Sequence, residues 1–406
     1  MSMKTFKSWR FLSRKKSVLS DVGPHGAHGF RTSQFTFMVA VIIAMLFIVY
    51  RITSYQYEQT EIDARRQPFD SAQGSATLEL DGLPHGIIQA RSDLELKPLW
   101  SRSKDKLEVS SGRNLLAIAA GIKQKTNVNS IVQKFLAENF TIVLFHYDGK
   151  TNGWWDLDWS NKAVHITAYN QTKWWFAKRF LHPDVVSIYD YIFLWDEDLG
   201  VENFDPGRYL EIVKTNRLFI SQPALDPNST EIHHRITIRK KSKRLHRRIY
   251  DHRGVTKCTK SSMGPPCTGW VEGMAPVFSK SAWRCAWHLI QNDLVHGWGL
   301  DMKLGYCAQG DRTKRVGIVD SEYIVHQGIP SLGGSSAKKG RKTDRKTDRK
   351  TEDSQKKRPS GVDMRVEVRR QSTSELKVFK ERWEKAVKED ESWVDPYARR
   401  SWFNPF

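Results

Sequence analysis

Apolar positions along the chain fall into one long run and a series of short ones. Residues 35–50 (FTFMVAVIIAMLFIVY) carry no charge between Arg31 and Arg51. With Ile52 and its small polar neighbours the run approaches the roughly 17–20 residues that a membrane-crossing helix needs. The later runs are short and continuous, as strands buried on both faces are. They cover residues 114–121, closed by Gly121, then 141–145, 163–167, 191–195, 218–222 and 319–326. Residues 268–278 read as a further strand approach, where Gly269 and Gly273 allow close backbone contact. Helical spacing lies between them. Residues 129–139 place Ile131, Val132, Phe135 and Leu136 on one face, and 173–180, 206–214 and 282–291 read likewise, the last capped by Ser279 or Ser281. A final helix starts at Ser372 or Ser374 and aligns Leu376, Phe379, Trp383 and Ala386 or Val387. Alternating strands and helices predict an α/β fold with a mainly parallel, Rossmann-like sheet flanked by helices, behind an amino-terminal transmembrane helix.

The same pattern divides the chain. Residues 1–34 form a basic tail, 35–52 a signal-anchor, and 53–112 a polar stem broken by Pro68, Pro84 and Pro98. Residues 113–332 hold the folded domain. Residues 333–360 contain RKTD-RKTD-RKTE and no apolar side chain to bury, which predicts a disordered linker, and 361–406 form a carboxyl-terminal helical arm.

Charge changes the picture only once it is located. The formal net charge is +20. Residues 1–34 carry seven Lys or Arg against Asp21, residues 235–257 carry ten against Asp251, and residues 335–360 carry eleven against four acids. Outside these segments the chain is close to neutral, so no basic field covers the domain and a nucleic-acid partner is disfavoured. The basic tail before the apolar run keeps the amino terminus cytosolic and places the domain in a lumen, as a single-pass type II protein. No small-residue cleavage pattern follows the run, which reads as uncleaved. Its shortness suits the thinner early secretory membranes, Golgi or endoplasmic reticulum. All four cysteines, Cys258, Cys267, Cys285 and Cys307, follow the run and suggest disulfides. The pairing Cys258–Cys267 with Cys285–Cys307 is favoured among three connectivities, and no Cys-x-x-Cys spacing supports zinc. Three sequons, at Asn139, Asn170 and Asn228, are compatible with this topology.

Candidate chemistry centres on Asp196, Glu197 and Asp198, which follow the apolar strand 191–195. Ligands of open α/β sheets bind at the carboxyl edge of the strands. Carboxylates there suit a hard divalent ion, Mn²⁺ or Mg²⁺, that in turn holds a diphosphate. Lys173, Lys178 and Arg179 are candidate phosphate contacts, joined by part of 235–257, which reads equally as a solvated basic face. His233, His234, His246 and His252 match no zinc spacing, whereas His326 closes a strand that reaches the edge carrying Asp198. No Gly-x-Gly-x-x-Gly is present, which disfavours a dinucleotide enzyme.

The phrases LFHYDG (144–149), QTKWWFAKRFLHPD (171–184), YIFLWDEDLG (191–200), PPCTGWVE (265–272) and GLDMKLGYCAQGD (299–311) carry a family resemblance. The chain resembles a plant family of membrane proteins often labelled lysine-ketoglutarate-reductase trans-splicing related, a label that implies no demonstrated reductase. More distantly it resembles the GT-A glycosyltransferases, in which an anchor and stem precede a Rossmann-like half and a strand ending in Asp-x-Asp. That resemblance implies Asp198 and His326 as Mn²⁺ ligands, with Asp196 at the metal or the nucleotide ribose. It also implies Asp301, in a segment similar to Gly-Trp-Gly-x-(Glu/Asp), as the base, although Leu300 stands where many such enzymes have a second acid. Trp298 reads as a sugar platform or as core. The implied function is metal-dependent transfer of a sugar from a nucleotide-sugar to a glycan or other acceptor. The alternatives are a non-catalytic lumenal carbohydrate-binding or scaffold protein on the same fold, and an oxidoreductase, for which no dinucleotide site is found.

Overall fold

The computed structural model describes residues 37–54, 80, 82–88, 112–241, 243–251, 257–329 and 364–398. The expected basic tail, most of the stem and the RKTD linker lie outside the described residues. The chain divides into two units, Met1–Ala72 and Gln73–Phe406.

In the first unit, helix α1 (Phe37–Ser54) is long and apolar enough to cross a membrane, and its large apolar side chains are exposed. Near its end the Thr53 hydroxyl donates back to the carbonyls of Val49 and Tyr50, which satisfies it without water.

The second unit is an α/β fold around one mixed sheet. Its strands are β1 (Asn114–Ala119), β2 (Phe140–His146), β3 (Val164–Thr167), β4 (Tyr191–Trp195), β5 (Leu199–Gly200), β6 (Ile220–Leu225), β7 (Leu245–His246), β8 (Val277–Ser279) and β9 (Val316–His326). They run in the order β3-β2-β1-β4-β8-β6-β9-β5, with β7 beside β9. The first four are parallel, β8 is antiparallel to β4 and β6, and β6 and β9 are parallel again. Leu115 to Ile118 are fully buried, as the unbroken apolar run of a strand covered on both faces requires.

Helices α2 (Lys125–Phe135) and α4 (Pro206–Thr215) cover one face; α3 (Lys173–Phe180) and α5 (Lys280–Leu289) cover the other. Local chemistry sets where they start. Thr172, Asp205 and Ser279 each accept a hydrogen bond from a backbone amide of the first turn, and Pro206 occupies the first turn of α4. Helix α2 begins four residues earlier than its apolar face suggests, because a 3-10 turn at Ile122–Gln124 leads into it. Residues 268–276 are a loop rather than strand, and only Val277–Ser279 joins the sheet. Two short helices, α6 (Asp301–Leu304) and α7 (Arg312–Arg315), precede β9. The disulfides are Cys258–Cys267 and Cys285–Cys307; the second ties α5 to the 3-10 turn after α6.

Helix α8 (Met364–Glu389) starts well before Ser372 and packs back on the α3–α5 face through Phe379, Trp383 and Ala386. Residues 82–88, read above as stem, belong to the same layer. Leu83 and Ile87 are buried in it, Gln291 donates to the Ile87 carbonyl, and the backbone amide and Nδ1 of His85 both meet Asp390. Pro84 hides any periodicity in so short a piece, which is why the sequence pattern places it outside the fold. Trp383 sits edge-on to Tyr306 at 4.9 Å with the Lys303 ammonium 4.0 Å over its ring. Trp383→Ala is expected to lose about 3–5 kcal/mol; denaturant unfolding of the full chain in detergent checks it, and an unchanged midpoint would show that α8 is not part of the cooperative fold.

Candidate functional site at the carboxyl edge of the sheet

The site begins where β4 stops. Ile118 of β1 pairs with Trp195, and on the other side the Asp196 amide donates to the Met274 carbonyl at 2.8 Å. The acids 196–198 therefore emerge at the carboxyl edge, between the ends of β1 and β8. Three neighbouring carboxylates then take three environments.

Glu197 turns inward. Its carboxylate accepts from the Gly121 amide at 2.7 Å and the Tyr147 hydroxyl at 2.5 Å, so it ties the ends of β1, β2 and β4 together. Burial pushes its carboxyl up to about 7. Asn127 of α2 fixes the same turn by donating to the carbonyls of Glu197 and Leu199. Asp196 faces Lys173, whose Nζ lies 2.6 Å from its Oδ1 and also donates to the Gly273 carbonyl. Burial, with help from Asp198, outweighs the ammonium and leaves the Asp196 carboxyl above its ordinary range. Asp198 accepts from the Ile329 amide at 3.1 Å and faces His326 Nε2 at 3.4 Å.

His326 closes β9, opposite Leu199 of β5. Its Nδ1 donates to the Glu231 carbonyl at 3.0 Å, which leaves Nε2 as the atom presented to Asp198. Burial opposes a charge on this ring, but the Asp198 carboxylate, the Glu231 carbonyl and Asp196 together raise it to about 9. Asp198 Oδ2 and His326 Nε2 thus face one another as an ion pair, and a metal ion held by both would displace the Nε2 proton. No group of three His, Cys, Asp or Glu arranged around a metal occurs among the described residues.

Asp301 opens α6, its Oδ1 accepting from the Met302 amide at 2.9 Å. Burial pushes its carboxyl up to about 6, Glu272 adds to this, and His233 opposes it. The loop that carries Asp301 needs its glycines. Gly297 and Gly299 both have positive φ, 69° and 97°; a Cβ at the first would strike the Trp174 indole, and one at the second would press on Leu376 and Phe379 of α8. His296, at the head of this loop, is held twice by Glu375 of α8, through its amide at 2.8 Å and Nδ1 at 2.9 Å.

Two more residues complete the cluster: Glu272, which sequence reasoning did not single out, and His233, read there only as one of four histidines without a zinc spacing. Glu272 is buried, with Oε1 2.7 Å from His233 Nδ1. The His233 ring lies 6.3 Å from that of His326, measured between centroids. A continuous set of charged groups therefore runs from Lys173 and Asp196, through Asp198 and His326, to His233, Glu272 and Asp301. The only sequence signal for Glu272 is an acid standing alone in the apolar stretch 268–278.

Not every candidate arrives there. Lys178 is 1% exposed; its Nζ donates to the Trp287 carbonyl at 2.8 Å and lies 3.6 Å over that ring. It clamps α3 to α5 in the core, away from any phosphate, and burial takes its ammonium down to about 7. Arg179 stacks on Trp175 at 4.3 Å. Trp298 is 44% exposed. His246 bonds Asp320 at 2.7 Å beneath β9, a structural pairing, and Arg239 stacks on Tyr323 at 3.7 Å.

A family model described as a protein of unknown function (DUF707) matches residues 75–389; the description names neither a source nor a reductase. No curated protein matches the chain. Similar solved structures include residues 1–349 of S. aureus TarS, at 8% identity and TM-score 0.36, covering 53% of this chain and 60% of that one. The same protein with UDP gives 7% identity, TM-score 0.34 and coverage of 52% and 59%. With UDP-GlcNAc it gives 8% identity, TM-score 0.34 and coverage of 54% and 60%. The chain thus spans about three fifths of the length of these structures.

The raised Asp301 carboxyl has a consequence for stability. A carboxyl that holds its proton up to about 6 in the folded state, against 3.8 ordinarily, favours folding at low pH. That advantage fades as pH rises through 6. Asp301→Asn cannot ionise, so at pH 7 it is expected to be more stable than the parent by on the order of 2 kcal/mol, with little difference at pH 4. Urea unfolding across pH 4 to 7 checks this, and parallel curves for the two proteins would contradict it.

Proposed function

We propose that this chain, which belongs to the DUF707 family by the match over residues 75–389, is a type II membrane glycosyltransferase of the secretory pathway, Golgi in the first instance. It would transfer a sugar from a nucleotide-sugar to a glycan or glycoconjugate acceptor. The observation that carries this reading is an Asp-x-Asp strand end with His326 on Asp198, linked through His233 and Glu272 to the half-buried Asp301.

The chemistry needs a held diphosphate, a leaving group whose charge is neutralised, and a base on the opposite side. Asp198 Oδ2 and His326 Nε2 would hold a divalent ion such as Mn²⁺ or Mg²⁺. Bound there, such an ion would neutralise the departing diphosphate. Lys173 adds a fixed positive charge beside Asp196, and Asp196 is placed to meet the ribose or the metal. Asp301, ionised above about pH 6 yet more basic than an ordinary aspartate, would take the acceptor hydroxyl proton as that oxygen attacks the anomeric carbon. The two disulfides and the apolar helix α1 agree with a lumenal domain on a membrane anchor.

A second reading has its own support. Asp196 and Asp198 are each already paired with a cationic side chain, as they would be in a catalytically silent carbohydrate-binding or scaffold protein on this fold.

Thermal shifts of the full chain in detergent, against nucleoside diphosphates and nucleotide-sugars with and without Mn²⁺, separate the two. The enzyme reading expects stabilisation by one nucleotide that needs both the metal and Asp198, and that Asp198→Ala and Asp196→Asn remove. A well-folded protein that responds to no nucleotide would leave the silent reading. Once a donor is known, transfer should rise with pH through about 6, and Asp301→Asn should lower kcat by about 10²–10⁴. A flat pH profile, or full activity in the variant, would remove Asp301 as the base.

A further inference from the structure

Glu272 is the residue whose chemistry the site leaves incomplete. Its side chain is 7% exposed, Oε1 is satisfied by His233, and Oε2 is buried without a hydrogen-bond partner. A buried carboxylate oxygen left unpaired is costly, and native structures keep few of them without a use. Its backbone is fixed on both sides. The Glu272 amide donates to Gln222 of β6, and the carbonyls of the next two residues take Lys173 Nζ and, at Met274, the Asp196 amide as well.

That backbone puts Glu272 between the two ends of the cluster. On one side Gly273 and Met274 abut Asp196; on the other the Glu272 carboxylate acts on Asp301 strongly enough to help raise it. In a displacement, the group being transferred lies between the diphosphate and the base. We infer that Glu272 Oε2 accepts a hydrogen bond from a hydroxyl of the sugar being transferred, and that this sugar is neutral. The inference rests on the donor reading above.

The neutrality follows from charge. Glu272 and Asp301 already act on one another, and a uronic acid at Glu272 Oε2 would bring a further carboxylate beside them. Like charges beside a buried carboxylate repel strongly. A hydroxyl, by contrast, supplies the missing donor and no charge, and a charge-assisted bond of this kind is among the stronger ones. His233 then has a defined task. Glu272 holds its Nδ1 at 2.7 Å, so the ring fixes which carboxylate oxygen stays free.

The test uses the full chain in detergent with Mn²⁺. Affinities are measured for UDP, GDP, UDP-glucose, UDP-galactose, UDP-N-acetylglucosamine, UDP-glucuronic acid, GDP-mannose and GDP-fucose, in the parent, Glu272→Gln and Glu272→Asp. The parent is expected to bind one neutral sugar-nucleotide more tightly than its bare diphosphate, and UDP-glucuronic acid more weakly than UDP-glucose. Glu272→Gln should lose about ten- to a hundredfold in affinity for the sugar-nucleotide while binding the bare diphosphate within about twofold. Glu272→Asp keeps the charge but withdraws the oxygen, and should show the same selective loss. Parent-like sugar-nucleotide binding in both variants, or a parent that prefers UDP-glucuronic acid, would overturn the inference. Equal loss of bare diphosphate would make Glu272 a structural residue and overturn it too. A folded parent that binds neither UDP nor GDP would remove the donor reading first, and this inference with it.

Discussion

One ammonium group holds the site together. Lys173 Nζ meets the Asp196 carboxylate and the carbonyls of Gly273 and Met274, and so joins the first turn of α3, the end of β4 and the loop before β8. Those three pieces come from distant parts of the chain. Lys173 itself is buried, and a buried cation persists only when it is paired and hydrogen-bonded. The constraint therefore runs both ways: the acid and the two carbonyls make the buried lysine tolerable, and the lysine fixes where Asp196 and Glu272 stand. The loop 268–276 runs on beside β4 at its end, where the Pro276 and Met274 carbonyls take the Leu194 and Asp196 amides, while the Gly273 carbonyl turns to Lys173.

From that anchor the acids diverge by environment rather than by type. Glu197 is saturated by Gly121 and Tyr147 and serves as a brace between strand ends. Asp198, the next residue, faces His326. Glu272 is buried, and its carboxylate helps to hold Asp301 at raised proton affinity. Groups of the same chemistry whose surroundings push them apart are what acid–base work at neutral pH requires. Burial supplies most of this separation, and burial comes from the two helical layers on either side of the sheet.

Much of the scaffold was legible because its signals are local. The strands at 114–119, 140–146 and 191–195 are unbroken apolar runs, and the acidic turn after Trp195 marks the sheet edge without further help. His326 follows from the strand that ends on it. The rest depends on contacts across the sequence. Glu272 finds His233 at a separation of 39 residues, and neither has a neighbour in sequence that announces the pair. Lys173 and Lys178 look alike in a basic helix, yet five residues of helix turn them about 140° apart. One meets Asp196 and the other disappears against Trp287. Residues 82–88 were hidden by their brevity and by Pro84, and they are held by α8 from the far end of the chain.

That last contact shows why the carboxyl-terminal helix belongs to the site rather than to a detachable arm. Phe379 and Leu376 close over Gly299, Glu375 grips His296 at both its amide and its ring, and Arg382 pairs with Asp293 at 2.6 Å. All of these fall on the segment 293–301 that delivers Asp301. A loop with two glycines at positive φ gains freedom as easily as it gains a tight turn. It keeps one conformation only where something packs on it. Helix α8 is that something, and the family match, which runs to Glu389, ends where the helix does. The position of the candidate base is therefore set by residues 74 positions and more downstream of it, a dependence that no reading of residues 297–301 alone reveals.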